Sequence, residues 1–359
     1  KKVSTLLAMK EAKGLFSKAI VESGSAPVGK LSREEAAKRT LSVLDNLGIS
    51  HDEWRKILSV PAEQLLSASS MTGLEPVADG INLEYQEATG IQAFEVSKDI
   101  PLMVGSSTDE MGVFMPYGKL GITWDNIKER LLGEGRSLEY GGIINEEKAD
   151  RIIETFKAEN IKGDDAEHTF LKIISLSGVL GGGAFHHAMA KAGQGGAPVF
   201  NYVVEYDSKA VSDTTLRCAW HTADLPLQLR IVLDAESEDL SKQMAHAWAA
   251  FIRTGNPSTK DLKWPAFTSE GRLVMDFDDV TSVKTDPLKN LREALENRGG
   301  INPARVVTNP IDVDYAFTRE HQEGGREAAD PVVVLFNDRY YLFPSKSYGY
   351  WSSDDMQRS

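Results

Sequence analysis

The stretch Ala197-Pro198-Val199-Phe200-Asn201-Tyr202-Val203-Val204-Glu205-Tyr206 decides how the chain is read. It is apolar, β-branched and aromatic, which predicts a buried strand. Downstream, Cys218-Ala219-Trp220-His221-Thr222-Ala223-Asp224-Leu225-Pro226 is a short polar loop carrying His221. Beyond it Met244, Trp248, Phe251 and Ile252 recur at helical spacing, and Thr254-Gly255-Asn256-Pro257 stops that helix. Upstream, Ile100-Pro101-Leu102-Met103-Val104-Gly105 predicts a second strand, which runs into Ser106-Ser107-Thr108-Asp109-Glu110. Residues 3–18 place Leu6, Leu7, Met9, Ala12, Leu15 and Phe16 as one buried helix would, ahead of a short strand Ala19–Glu22 and the turn Ser23-Gly24-Ser25. Ser32 and Glu35 predict a capping box for a helix that Gly48 ends. From Thr123 to Lys191 the pattern is mainly helical, with Trp124, Ile127, Leu131 and Leu132 in one amphipathic set and Ala149, Ile152, Ile153 and Phe156 in another. Strands separated by long helical stretches imply an α/β fold with a largely parallel sheet.

The 359 residues carry a formal net charge of −13, with 41% hydrophobic and 26% charged residues. That is the balance of an ordinary globular protein with ample chain for a core. Clustered positive charge is missing, which argues against nucleic acid or anionic lipid as the partner. No apolar run approaches the length that spans a membrane. The single cysteine, Cys218, rules out an internal disulfide and a cysteine-rich metal centre. The chain opens on Lys1-Lys2-Val3 and stops at Gln357-Arg358-Ser359, which reads as a fragment at both ends.

His221 is placed to shuttle a proton near neutral pH, and Glu110 likewise follows a predicted strand. An acid and a base delivered from the same edge of one sheet suit an α/β-hydrolase, whose nucleophile sits on a Gly-x-Ser-x-Gly elbow. No such motif occurs in these residues. The chain begins in the helix that would follow the elbow, so the nucleophile is expected just before Lys1. Leu180-Gly181-Gly182-Gly183-Ala184 lacks the Lys and Ser/Thr of a phosphate loop and is read as close helix packing. His186 and His187 are adjacent, so they face different sides of a helix and make a poor joint metal site. Neither a metal nor a cofactor is expected.

Four blocks, in order, resemble type-B carboxylesterases, the cholinesterase-like α/β-hydrolases. They are Val3–Met9 with Lys13–Ile20 and Glu22–Ser25; Pro76–Gly80; Val104–Phe114; and Trp248–Pro257. The resemblance covers roughly residues 1–295, the C-terminal portion of such an enzyme. It implies that Glu110 is the triad acid, that His221 is the base, and that Ser23 supports the acid. Met111 stands where the family usually has Gly after the acid, and Thr222 where Gly or Ser often follows the His. The implied activity is hydrolysis of carboxylic esters through a Ser-Glu-His triad; the fragment alone is expected to be inactive. A silent interaction module and a glycosidase with an esterase scaffold are the rival readings.

A domain boundary is expected near Arg298-Gly299-Gly300, dividing 1–298 from 299–359. Past it, Pro331–Phe336, the pair Asn337-Asp338 and Tyr340–Phe343 predict a β-hairpin. Together with Asn309–Tyr315 and Arg326–Pro331, this tail resembles the first blade of five-bladed propeller glycosidases of the arabinosidase and xylosidase type. In that resemblance Asp330 matches a general base. A fused esterase and propeller would act on ester substituents of plant-type polysaccharide, from a secreted or periplasmic location; the alternative is a general carboxylesterase of broad substrate range whose fusion is incidental.

Overall fold

The computed structural model describes residues 2–296, apart from 26–27, 29–30, 71–72, 74, 85–92, 135–143, 160–162, 179, 210–216 and 233. It also describes the backbone of three strands between 332 and 353. The chain divides into a unit of residues 1–296 and a unit of residues 297–359.

The first unit opens with helix α1 (Lys2–Ala8), strand β1 (Ala19–Glu22) and strand β2 (Leu31–Ser32). Helix α2 (Arg33–Asn46) starts at the expected capping box: Ser32 Oγ accepts the Glu35 N–H, and the Ser32 N–H donates to the Glu35 carboxylate. Helix α3 (Ala62–Ser69), strand β3 (Val77–Ala78) and strand β4 (Leu102–Ser107) follow. A helical block of α4 (Ile127–Glu134), α5 (Glu146–Glu159), α6 (Ala166–Ser177) and α7 (Gly183–Gly193) leads into strand β5 (Val199–Val204). The short helix α8 (Asp224–Gln228) and the long α9 (Glu238–Thr254) precede strands β6 (Leu273–Phe277) and β7 (Ser282–Thr285). Helix α10 (Lys289–Leu295) closes the unit.

Five strands form one sheet in the order β1-β4-β5-β6-β7. The first four run parallel and β7 is antiparallel at the edge. Every residue of β4 and β5 is buried, which is why both read as continuous apolar runs rather than alternating ones. The period of two then sorts their side chains between layers. Leu102, Val104, Val199 and Val203 pack toward α7, while Met103, Phe200, Tyr202 and Val204 pack toward α9. On the α9 side Tyr202 meets Trp248 edge-on with ring centroids 5.0 Å apart, and Trp264 and Phe277 complete the aromatic layer. Such pairs add about 0.5–1.5 kcal/mol each beyond area burial. A third core lies among α4, α5, α6 and α10. Helix α9 ends where the sequence says it should, with Gly255 at φ 78° and its N–H bonded to the Phe251 carbonyl.

The single helix expected over residues 3–18 is corrected. Helix α1 stops at Ala8, a 3₁₀ turn covers Lys10–Ala12, and Leu15 is 79% exposed. Gly14 adopts φ 82°, a conformation that ends the helical path and turns the chain into β1. Among the described residues no helix is long and apolar enough to cross a membrane. In the second unit β8 (Val332–Phe336) pairs antiparallel with β9 (Arg339–Phe343), and β10 (Trp351–Ser353) pairs with β9. Phe336 lies opposite Arg339, the pairing of the expected hairpin. Asp330 and residues 309–315 lie outside the described residues.

Candidate active site

Three parallel neighbours of the sheet each deliver one polar side chain at the carboxyl end: Ser23 follows β1, Glu110 follows β4 and His221 follows β5. Crevices at that end of a parallel sheet are where α/β folds collect their chemistry. Glu110 opens a 3₁₀ turn, Glu110–Val113, directly after β4 and its side chain is 0% exposed. Its Oε1 accepts the Ser23 hydroxyl at 2.5 Å and the Ser107 N–H at 2.8 Å. Its Oε2 lies 2.6 Å from His221 Nδ1. A buried carboxylate with two donors on one oxygen and an imidazole on the other is fixed in orientation.

The His221 loop is fixed by backbone bonds. The Asp109 N–H donates to the Ala219 carbonyl at 3.0 Å, and the Ala219 N–H returns to Asp109 Oδ2 at 3.2 Å. The Phe114 ring stacks on the imidazole with centroids 5.9 Å apart. Gly112 lets the two loops close: a Cβ there would come 2.6 Å from Cys218 Sγ. The glycine run serves the packing read for it, since a Cβ on Gly181 would lie 2.6 Å from the Ser175 carbonyl oxygen and 3.6 Å from Glu110 Cγ. Ser23 and Thr222 both adopt positive φ, 49° and 73°, so each residue flanking the chemistry is held in a conformation that costs on the order of 1 kcal/mol or more. In that geometry Thr222 occupies the left-handed region that glycine enters freely.

The hydrogen bond to Glu110 raises the His221 pKa above its usual 6.5; burial opposes it and the Asp224 carboxylate assists. With Nδ1 committed to Glu110, Nε2 is the nitrogen left to exchange a proton with a reactant. Beneath the site Asp224 is pushed up to about 7 by burial and by the charges of Glu22 and Glu110. It accepts the Tyr202 hydroxyl at 3.1 Å, and Glu22 accepts the Trp248 indole N–H at 2.8 Å. Sequence reasoning did not single out Asp224 or Glu22; their one signal is position, three residues after His221 and one before Ser23. His186 and His187 lie elsewhere. His186 Nε2 is 3.4 Å from Glu296, and buried His187 shares a hydrogen bond with Ser25 at 3.1 Å.

The carboxylesterase family model matches residues 1–294. The chain belongs to the carboxylesterase family. It is 27% identical over 313 residues to the para-nitrobenzyl esterase of Bacillus subtilis, which covers 82% of this chain and 59% of that protein. Carboxylesterase 5A of Homo sapiens is 29% identical over 309 residues, covering 77% of this chain and 51% of the relative. Among solved structures, carboxylesterase EST55 of Geobacillus stearothermophilus superposes with a TM-score of 0.64 at 29% identity, over 82% of this chain and 61% of that one. The chain thus spans between half and three fifths of the length of these two relatives. The matched residues end before the strands β8 to β10.

Proposed function

We propose that the protein hydrolyses carboxylic esters by acyl transfer, with Glu110 and His221 as acid and base of a triad whose serine precedes residue 1. The observation that carries this reading is the 2.6 Å contact between Glu110 Oε2 and His221 Nδ1, on a carboxylate buried completely. The serine Oγ attacks the ester carbonyl while His221 Nε2 takes its proton and then returns it to the departing alcohol. Glu110 holds the imidazole in the tautomer that accepts at Nε2 and stabilises the imidazolium as it forms. Ser23 and the Ser107 N–H keep the carboxylate aimed. The chemistry calls for neither a metal nor a cofactor. A silent interaction module has no use for a buried acid locked onto a partly exposed histidine.

Hydrolysis of p-nitrophenyl esters by the protein extended upstream tests the reading. Turnover should fall by about 10⁴–10⁶ on His221→Ala, the scale on which triads lose rate. Equal rates in the variant, or an upstream sequence with no nucleophile elbow, overturn it. Residues 1–359 alone should give no esterase-like rate. That the ester is borne on plant-type polysaccharide rests on the resemblance of the tail alone; a preference for acetylated or feruloylated xylan over short-chain esters tests it.

A further inference from the structure

Next to Glu110 in sequence, at Asp109, lies a second cluster that the ester chemistry does not use. Asp109 comes from the end of β4, His168 from the first turn of α6 and Asp207 from the segment after β5. One ligand-capable atom from each lies within 4.8 Å of the other two. His168 Nε2 is 3.2 Å from Asp109 Oδ2, close to the edge of a tetrahedron of ligands about 2.0–2.1 Å from a zinc ion, about 3.3 Å. The histidine is 4% exposed and its Nε2 has no hydrogen-bond partner of good geometry, although the ring is held firmly. The Asp165 cap fixes its backbone, with the His168 N–H on Oδ1 at 2.9 Å, and the Tyr117 ring packs 5.1 Å from the imidazole.

The carboxylate at the centre is oriented by the shell around it. Asp109 Oδ2 accepts the Ala219 N–H and the Thr108 hydroxyl, both at 3.2 Å, the support that ligating carboxylates ordinarily receive. Two carboxylates and one imidazole thus converge on one small space, the donor set of a cation site.

We propose that Asp109, His168 and Asp207 form a divalent-cation site, with zinc the best-suited ion, next to the acid of the esterase centre and separate from its chemistry. One imidazole nitrogen and two carboxylate oxygens are donors that zinc accepts, and solvent completes the fourth position at half-buried Asp207. The ion clamps the ends of β4 and β5 to α6. The site stands whether or not the protein hydrolyses esters.

The test takes full-length protein stripped by a chelator and titrated with Zn²⁺ alone, reading bound metal and melting temperature. One equivalent of zinc should bind and raise the melting temperature by several degrees. Asp207→Asn, a change at a half-buried residue, should weaken binding by 100-fold or more, and His168→Gln should do the same. Wild-type protein that takes up no zinc, holding His168 and Asp109 as a plain ion pair, overturns the proposal. So does zinc binding that Asp207→Asn leaves intact. Should His168→Gln fail to fold, Asp207→Asn alone decides.

Discussion

At the scale of single residues, the chemistry hangs on how one carboxylate is dressed. Ser23 gives Glu110 a hydroxyl donor that no backbone group replaces, so Ser23→Ala should lower kcat by about 10-fold or more while KM for p-nitrophenyl acetate stays near wild type. A fall in KM affinity with kcat intact would assign Ser23 to substrate binding instead. The imidazole next to it titrates above 6.5 because Glu110 favours its charged form. Only the neutral ring accepts a proton, so kcat/KM should fall as pH drops, with the midpoint of the acid limb above 6.5. A midpoint at or below 6.5 would show that the Glu110 contact does not persist in the working enzyme. Glu110 and His221 drew notice in the sequence because Glu110 follows an apolar run and the carboxylesterase-like blocks mark both positions, and the structure brings the two side chains together. The supporting groups were not legible: Ser107 contributes through its backbone N–H, which every residue has, and Asp224 meets Tyr202 across a separation that leaves no periodic trace.

Among the elements, the strands and capped helices were the legible part. β4 and β5 announced themselves as unbroken apolar runs because the sheet is covered on both faces, while α2 carried its own start and stop residues and α9 its stop. The segment after α1 misled, because Met9, Ala12, Leu15 and Phe16 keep helical spacing while Gly14 turns the backbone away. Between the two loops there is no room for a side chain at Gly112, whose missing Cβ admits Cys218. Gly112→Val should push the His221 loop outward, cutting turnover at least 10-fold and lowering the melting temperature; wild-type values for both would mean that the loops yield without cost. Helix α8 starts on Asp224, whose carboxyl titrates near 7 under burial and the charges of Glu22 and Glu110. A carboxyl raised in the folded state costs stability as pH climbs from about 4 through 7. Asp224→Asn keeps an acceptor for Tyr202, so it should melt higher than wild type at pH 8, with an upper bound of about 4 kcal/mol, and the two should converge near pH 4. No gap at pH 8 would place the charge elsewhere.

For the whole molecule, acid stability is set in part by a histidine outside the Glu110–His221 pair. His187 is driven down to about 4 by burial, with the Lys191 charge adding to it. The unfolded chain takes up that proton below 6.5 and the folded chain does not until about 4, so stability should fall as pH drops across this window. His187→Gln should flatten the slope of melting temperature against pH there; an unchanged slope would clear His187 of the effect. The strand order has a kinetic meaning of its own. Because β1, β4, β5, β6 and β7 lie in the sheet in the order in which they are synthesised, each strand leaving the ribosome meets an edge already formed. Among the described strands of this five-stranded sheet, each pairs with the strand of the sheet made just before it. Ser23, Glu110 and His221 can therefore meet while β6, β7 and the tail are still being translated.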